Sequence, residues 1–305
     1  MKIALALLFL ALLGAGVYLY NPDRPRAAHE RRWAPPPSQF VEAAGVRLHI
    51  RDTGPRDAPA ILLIHGFGSS LHTWEAWEPL LGERFRLVSL DLPGFGLTGP
   101  DPTGDYSDER SLAVLLALMD RLGLREAAVL GSSMGGRIAW RFAAAHPERV
   151  SHLVLMAPDG FASPGRAYGK APERLPWLMR LLPYTAPKPL LARTMRGAYA
   201  VEGTLTDAVV ERYHAMLLAP GVRQAILDRV LQTRLLPPEP ILATIRTPVL
   251  LLWGERDGAV PASHAADYAR VLPDSRTVIL PGIGHVPMEE APEASARAVQ
   301  EFLGG

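Results

Sequence analysis

The amino-acid sequence predicts an α/β fold, in which helices cover both faces of a mostly parallel sheet. Two observations support this prediction. Near-continuous apolar runs, such as AILLI at 60–64 and PVLLLW at 248–253, are typical of strands buried on both faces. Between such runs the apolar residues recur at helical spacing, over stretches long enough for the crossover connections that parallel strands need. Alternation of this kind produces a sheet covered by helices.

The pattern predicts the elements in chain order. Strands are expected in a hairpin-like stretch at about 40–53 and then near 60–64, 86–90, 127–131, 151–156, 248–253 and 276–280. Helices are expected at about 75–81, 107–122, 134–146, 262–272 and 291–303. We therefore assign residues 39–158 and 241–305 to one α/β core.

Composition excludes several classes of protein. The 305 residues, of which 48% are hydrophobic, are enough for one or two domains with a sizeable core. A formal charge of +1 lacks the basic excess of a nucleic-acid-binding protein, so we expect no nucleic-acid partner. The absence of cysteine excludes disulfides, thiolate-held metals and a cysteine nucleophile.

The first twenty residues predict a membrane anchor. Ile3 to Tyr20 are eighteen consecutive uncharged, mostly apolar positions, which as a helix would span about 27 Å. A cleaved signal peptide is the alternative, although the apolar part of such a peptide usually has only about 7–15 residues. Arginines after the run favour a cytoplasmic body, whereas the signal-like start favours export, so the side of the membrane stays open.

Two further segments lie outside the core. Residues 21–38 are rich in proline and arginine and predict an extended, semi-rigid linker between the membrane and the body. Residues 159–240 have helix-like patterns interrupted by prolines, and they are far longer than a crossover of about a dozen residues requires. We expect this insertion to form a helical cap, or lid.

The first part of this cap is strongly basic. Residues 160–200 contain seven lysines and arginines against one glutamate, interleaved with apolar and aromatic side chains. Such a segment can lie on anionic lipid, or it can be an ordinary solvated cap whose apolar side packs on the core. In either case its apolar side chains would roof an acyl-sized pocket.

A candidate nucleophile stands between a predicted strand and a predicted helix. The segment Gly131-Ser132-Ser133-Met134-Gly135 has glycines two positions before and two positions after Ser133, which permit close approach of neighbouring backbone. The same frame centred on Ser132 would need glycine at 130 and 134, where the chain has leucine and methionine. The motif therefore selects Ser133.

A serine hydroxyl needs a base, and the base needs an acid to orient it. Asp257 and His285 each follow a predicted strand, in the order acid then base that such a nucleophile turn predicts. Both lie just past strand ends, where open α/β sheets place their sites. Asp159, directly after the LVLMAP strand, is the alternative acid.

The oxyanion that develops on a substrate attacked by such a serine also needs hydrogen-bond donors. The turn His65-Gly66-Phe67-Gly68 follows the AILLI strand, and its small residues would expose the backbone N–H of Phe67. The N–H of Met134, the residue after the nucleophile, would be the second donor. Such a mechanism requires neither a metal nor an organic cofactor, and we expect none.

These motifs resemble the α/β-hydrolase superfamily over roughly residues 40 to 304. The matching segments are HGFGSSLHTW, DLPGFGLT, GSSMGG, HPERVSHLVLMAP, PVLLLWGERDGAVP and LPGIGHVPMEEAPE. The resemblance implies an eight-stranded, mostly parallel sheet with an inserted helical cap. It also implies the roles of nucleophile for Ser133, acid for Asp257, base for His285 and oxyanion donors for Phe67 and Met134. The serine departs from haloalkane dehalogenases and epoxide hydrolases, which have aspartate there.

Two branches of the superfamily are similar to this chain. Membrane-anchored monoacylglycerol lipases and carboxylesterases share the N-terminal helix, HGF, GSSMGG and a short helical cap. Carbon–carbon bond hydrolases of dienol ring-fission products share HGFG, GSSMGG, GERD and GHVPMEE, and they need cationic groups for a substrate carboxylate. The anchor favours the first branch, so we expect hydrolysis of lipid or other apolar esters, such as monoacylglycerols. Carbon–carbon hydrolysis and a non-catalytic ligand-binding role are the alternatives.

Overall fold

The computed structural model describes Gly14, Gly16 and residues 19–162, 167–169 and 174–304. Within this part of the chain, eight strands form one sheet. They are β1 (Ser38–Ala43), β2 (Val46–Thr53), β3 (Ala60–Ile64), β4 (Arg86–Leu90), β5 (Ala127–Ser132), β6 (Val150–Met156), β7 (Val249–Gly254) and β8 (Ser275–Leu280). Their order across the sheet is β1-β2-β4-β3-β5-β6-β7-β8. The β1–β2 and β2–β4 pairs are antiparallel and the others are parallel, which confirms the predicted fold class.

Helices connect and cover these strands. The described α-helices are α1 (Arg26–Trp33), α2 (Glu78–Leu81), α3 (Asp108–Arg121), α4 (Met134–Ala145), α5 (Lys188–Met195), α6 (Asp207–Leu217), α7 (Val222–Gln232), α8 (Glu239–Leu242), α9 (His264–Val271), α10 (Pro287–Glu290) and α11 (Pro292–Leu303). Short 3₁₀ helices lie at Leu71–Trp77, Pro147–Arg149 and Met179–Leu181. The helix predicted at 75–81 thus starts earlier, as 3₁₀ turns, and becomes α-helical only at Glu78.

The central strands are buried on both faces, as their apolar runs predict. In β3, Leu62 and Ile64 pack into the core that contains α3 and α4. The alternate residues Ile61 and Leu63 pack into the opposite core with the 3₁₀ helix Leu71–Trp77 and α11. Alternate side chains of a strand point to opposite faces, so one apolar run supplies both cores.

The prediction of an extended linker over residues 21–38 is wrong. Arg26–Trp33 forms α1, because the prolines flank this segment instead of interrupting it: Pro25 is the N-cap and Pro35 lies beyond the last turn. The segment also docks on the body. The ring of His29 is buried, and its Nε2 is 2.6 Å from the carbonyl oxygen of Ala215 in α6.

The predicted anchor at residues 1–20 lies almost entirely outside the described residues. Among those that are described, no helix is long and apolar enough to cross a membrane. The anchor therefore stays a prediction.

The insertion between β6 and β7 is helical where it is described, and its α-helices are α5, α6, α7 and α8. Residues 21–33, which we call the N-terminal strap, hold it. The backbone N–H of Arg24 donates to the carbonyl of Leu218 at 2.9 Å. Asp23 accepts from the buried guanidinium of Arg223 at 2.6 Å and from the N–H of Gly221 at 2.8 Å.

Asp23→Ala is expected to destabilise the fold, because it leaves the buried Arg223 guanidinium without its carboxylate. The expected cost is roughly 1–3 kcal/mol, the penalty for an unsatisfied buried donor. Thermal unfolding followed by circular dichroism measures it. Asp267→Ala, which removes an exposed ion pair with Arg270 at 3.8 Å, is the control and should cost less than about 0.5 kcal/mol. Equal losses would contradict a strap held by this pair.

Acid is expected to weaken the packing around His29 of the strap and His214 of the cap. Burial lowers the pKa of His29 and of His214, against the hydrogen bonds of their rings to backbone carbonyls. Because the unfolded chain then binds these protons more readily, this stability is complete above the unfolded pKa of about 6.5 and is lost as pH falls below it. The melting temperature should fall on acidification. His29→Gln, which keeps an amide donor but does not titrate, should flatten the dependence; an unchanged pH profile would contradict the assignment.

Candidate active site

Ser133 lies at the turn between β5 and α4 in a strained backbone conformation, with φ of 54° and ψ of −119°. Three backbone hydrogen bonds hold it there. Its N–H donates to the carbonyl of Met156 at 2.9 Å, and its carbonyl accepts from the N–H groups of Asp159 at 2.9 Å and Arg137 at 3.1 Å. The turn is therefore fixed by the neighbouring strand and by the first turn of α4.

The glycines of this motif are required by close backbone contacts. A Cβ atom on Gly131 would overlap the carbonyl group of Gly135. One on Gly135 would overlap the carbonyl oxygens of Ile64 and His65, at the end of β3. These approaches press the serine turn against the loop after β3, so the two loops form one surface at the carboxyl edge of the sheet.

The structure brings Asp257 and His285 together. The Asp257 Oδ2 atom accepts a hydrogen bond from Nδ1 of His285 at 2.8 Å. Its Oδ1 atom accepts from the N–H groups of Ala259 and Val260, each at 2.8 Å, and the side chain is fully buried. The backbone N–H of His285 donates to the carbonyl of Ala198 at 2.7 Å. The aspartate thus fixes the ring tautomer, which leaves Nε2 as the acceptor nitrogen.

Asp159, the alternative acid, occupies a different position. Its backbone N–H bonds to the carbonyl of Ser133, and its own carbonyl accepts from Trp140 Nε1 and from the Tyr268 hydroxyl. Its Oδ2 atom lies 3.9 Å from Nε of Arg137. The carboxylate of Asp257 therefore bonds to His285, whereas the backbone of Asp159 supports the serine turn.

The loop after β3 stands beside the nucleophile. A Cβ on Gly66 would lie 3.2 Å from Cβ of Ser133. The buried ring of His65 braces the loop: Nδ1 donates to the carbonyl of Gly66 at 2.7 Å, and Nε2 accepts from the N–H of Leu92 at 3.0 Å. Burial lowers the pKa of His65, which keeps the ring neutral and able to accept. Across the described chain, neither the Phe67 nor the Met134 N–H is bonded to a protein acceptor.

Asp91 connects the loop after β3 with the loop after β4. Its buried carboxylate accepts from the N–H groups of Leu71 and Leu97, each at 2.7 Å, and from Nδ1 of His49 at 2.7 Å. Burial alone would raise the pKa of Asp91, but the charge of His49 and its hydrogen bond hold it well below its usual value. The ionised carboxylate anchors both loops.

A cavity of about 420 Å³ opens between the core and the cap, and both Ser133 and His285 line it. Most of its wall is apolar and comes from the cap: Met179, Leu182, Leu191, Met195, Leu217, Ile226 and Val230. Its described lining includes neither lysine nor arginine. Hydroxyl groups gather in part of the wall, from Ser69, Thr73, Tyr199 and Tyr213.

Two carboxylates after His285 have roles that the sequence did not predict. Glu290 accepts from the N–H of Gly284 at 3.0 Å and from those of Ala200 and Val201 at 2.7 and 2.8 Å, so it ties the histidine loop to the cap. Glu289 bonds to hydroxyls in the cavity wall. Adjacent glutamates at the start of a helix are also typical of an ordinary helix N-terminus, so no local pattern distinguishes these roles.

Comparison with known proteins gives the family. A family model described as the alpha/beta hydrolase fold matches residues 59–292. The chain is 30% identical over 279 residues to a putative 2-succinyl-6-hydroxy-2,4-cyclohexadiene-1-carboxylate synthase of Bacillus subtilis, covering 85% of this chain and 95% of that protein. It is 29% identical over 269 residues to a 2-hydroxy-6-oxononadienedioate/2-hydroxy-6-oxononatrienedioate hydrolase of Cupriavidus pinatubonensis, covering 85% and 91%.

Solved structures agree with this. A membrane phospholipase A, described as a bacterial virulence factor, superposes with a TM-score of 0.74 at 29% identity, covering 100% of this chain and 98% of that one. A putative lipase from Acinetobacter baumannii superposes with a TM-score of 0.77 at 25% identity, covering 93% and 97%. The eight-stranded sheet and the match over residues 59–292 show that this chain is a hydrolase of the α/β-hydrolase family.

Proposed function

We propose that this protein hydrolyses carboxylic esters of lipid or other apolar acyl compounds through an acyl-enzyme on Ser133. The observation that carries the proposal is the cavity, in which Ser133 and an aspartate-bound His285 face a mostly apolar, cap-derived wall. Such a wall suits an acyl chain, because burying each CH₂ group contributes about 0.8 kcal/mol.

In the proposed mechanism, Ser133 Oγ attacks the ester carbonyl carbon while Nε2 of His285 takes the hydroxyl proton. The N–H groups of Phe67 and Met134 bind the oxyanion, each lowering the barrier by roughly 3–4 kcal/mol. The tetrahedral intermediate expels the alcohol, which leaves with the proton from His285, and the acyl-enzyme remains. Water then attacks by the same route and releases the acid. Asp257 stabilises the imidazolium throughout.

Carbon–carbon hydrolysis of dienol ring-fission products is the second candidate. Its support is the 29% identity to the Cupriavidus hydrolase and the motifs shared with that branch. It requires cationic groups for a substrate carboxylate, and the described cavity lining contains no lysine or arginine. A non-catalytic ligand-binding role would leave the Asp257–His285 pair without a purpose. The cavity therefore favours ester hydrolysis.

The test is kcat/KM of the detergent-solubilised full chain on p-nitrophenyl esters from acetyl to palmitoyl, beside a dienol ring-fission diketone. Activity should rise toward medium and long chains, because longer chains bury more apolar surface in the cavity. Ser133→Ala should lower kcat by at least about 1,000-fold, since it removes the nucleophile. Ser132→Ala is the matched control and should lose less than about tenfold. Turnover of the diketone alone would contradict the proposal.

We propose further that the cap faces the membrane. Its outer surface exposes an apolar group that we call the cap patch: Trp177, Leu178, Leu181, Tyr184 and Leu190. Arg180, Arg193 and Arg196 are exposed in the same segment and suit anionic lipid. The N–H of Asn21, directly after the predicted anchor, donates to the carbonyl of Tyr184 at 2.9 Å. The chain thus leaves the predicted anchor at the edge of the cap patch.

Vesicle co-sedimentation of residues 21–305 tests the membrane contact without the predicted anchor. Binding to vesicles containing phosphatidylglycerol is expected, because Trp177, exposed over 71% of its surface, and Leu178 would enter the interface. Replacing both by serine should weaken binding at least about tenfold, since each apolar side chain contributes roughly 1.5–3 kcal/mol. Ile279→Ser, exposed on β8, is the control. Protein that stays in the supernatant at low salt would refute a membrane-facing cap.

A further inference from the structure

The hydroxyl groups in the cavity wall converge on one carboxylate. Thr73 Oγ1 and the hydroxyl of Tyr213 donate to Oε1 of Glu289 at 2.6 and 2.9 Å. The hydroxyl of Tyr199 donates to Oε2 at 2.8 Å. We call Thr73, Tyr199 and Tyr213 the hydroxyl cluster. Thr73 lies in the 3₁₀ helix Leu71–Trp77, whereas Tyr199 and Tyr213 belong to the cap, so only the folded chain assembles the cluster.

The Glu289 carboxylate that accepts these hydrogen bonds is paired with an arginine. The Glu289 side chain is 7% exposed, and Oε2 lies 3.0 Å from Nη2 of Arg212. The other nitrogen of this guanidinium, Nη1, lies 3.5 Å from a carboxylate oxygen of Glu75. Glu75 is bound more closely by Arg51, whose Nη2 lies 2.9 Å from its Oε1, so Arg212 pairs mainly with Glu289. Neither Arg212 nor Glu289 is among the described residues that line the cavity. An anionic ligand group would meet no lysine or arginine in the described cavity lining, and the hydroxyl protons of the cluster are already donated to Glu289.

Both tyrosine hydroxyls stay protonated and donate hydrogen bonds to Glu289. Burial, with the nearby Glu289 carboxylate, raises the pKa of Tyr213 to about 12. Burial and the neighbouring Tyr213 and Glu289 raise the pKa of Tyr199 further above its ordinary value. Hydroxyls that donate to a carboxylate can offer a ligand only their oxygen lone pairs. The matching ligand group is therefore a hydrogen-bond donor, such as an alcohol hydroxyl.

The hydroxyl cluster lies on the side of the cavity next to the base. The carbonyl of Ala198 accepts from the N–H of His285, and Tyr199 is the next residue. Glu289 lies on α10, four residues after His285 in the chain. In the proposed mechanism His285 protonates the leaving alcohol, so this is where the alcohol portion of an ester would lie.

We propose that the hydroxyl cluster binds a neutral, hydroxyl-bearing alcohol portion of the ester, such as glycerol or another polyol, and disfavours an anionic one. This inference rests on the proposed ester hydrolysis and specifies which leaving alcohol the enzyme prefers.

The test compares kcat/KM of the full chain in detergent on three laurate esters: 1-monolauroylglycerol, methyl laurate and 1-lauroylglycerol 3-phosphate. The glycerol ester should be preferred over both others. Tyr199→Phe should lower the glycerol-to-methyl ratio by about 5- to 10-fold, the factor expected for one lost hydrogen bond. Tyr213→Phe is the second variant if the first does not fold. Thr194→Val, which removes a hydroxyl elsewhere in the cavity wall, should leave the ratio unchanged.

The inference is overturned if the phenylalanine variant that folds keeps the wild-type ratio, or if the phosphate ester is the better substrate. Those results leave ester hydrolysis intact. Hydrolysis of none of the esters above the Ser133→Ala background would instead refute the proposed function. Calorimetry on Ser133→Ala then decides the subsite separately. A 1-O-dodecylglycerol ether that binds at least about fivefold tighter than dodecyl methyl ether supports it, and equal binding rejects it.

Discussion

The strained turn at Ser133 is the constraint on which the rest of the site depends. A non-glycine residue at φ of 54° is held there by backbone hydrogen bonds to Met156, to Asp159 and to the first turn of α4. The close approaches of Gly131 and Gly135 then press this turn against the end of β3. Because the central strands are parallel, the loops that bear the nucleophile, the candidate donors, the acid and the base all emerge at one edge of the sheet.

The cap has two surfaces with different chemistry. On α5, Leu191 and Met195 point into the cavity, whereas Leu190 and Arg193 are exposed. Helical spacing makes this division possible, since residues three or four apart share a face. One short helix can therefore shape an acyl pocket from inside and present apolar and basic groups outside. The N-terminal strap crosses the same region and connects the predicted anchor to the cap.

The buried carboxylates around the base each bind a different part of the site. Asp257 bonds the ring of His285, Glu290 holds its loop to the cap through backbone N–H groups, and Glu289 collects the hydroxyls of the cavity wall. Asp91 accepts hydrogen bonds from the backbone N–H groups of Leu71 and Leu97, and it thereby fixes the loops after β3 and β4. Each carboxylate is buried with several donors, which is the condition under which burial of a charge is tolerated. A polar framework thus supports a mostly apolar pocket.

The fold class and the six strands after the hairpin could be predicted from the sequence, which also pointed to the five candidate site residues. These follow from local rules: apolar runs specify buried strands, and a Gly-x-Ser-x-Gly frame at a strand end has few other structural uses. Tertiary structure alone decided the docking of α1, which local proline content had suggested would be extended, and the hydroxyl cluster on Glu289. Tyr199 and Tyr213 have no motif, and Thr73 and Glu289 are more than two hundred positions apart in the chain. Their meeting depends on how the cap packs over the sheet, and the order of residues along the chain does not encode such a contact locally.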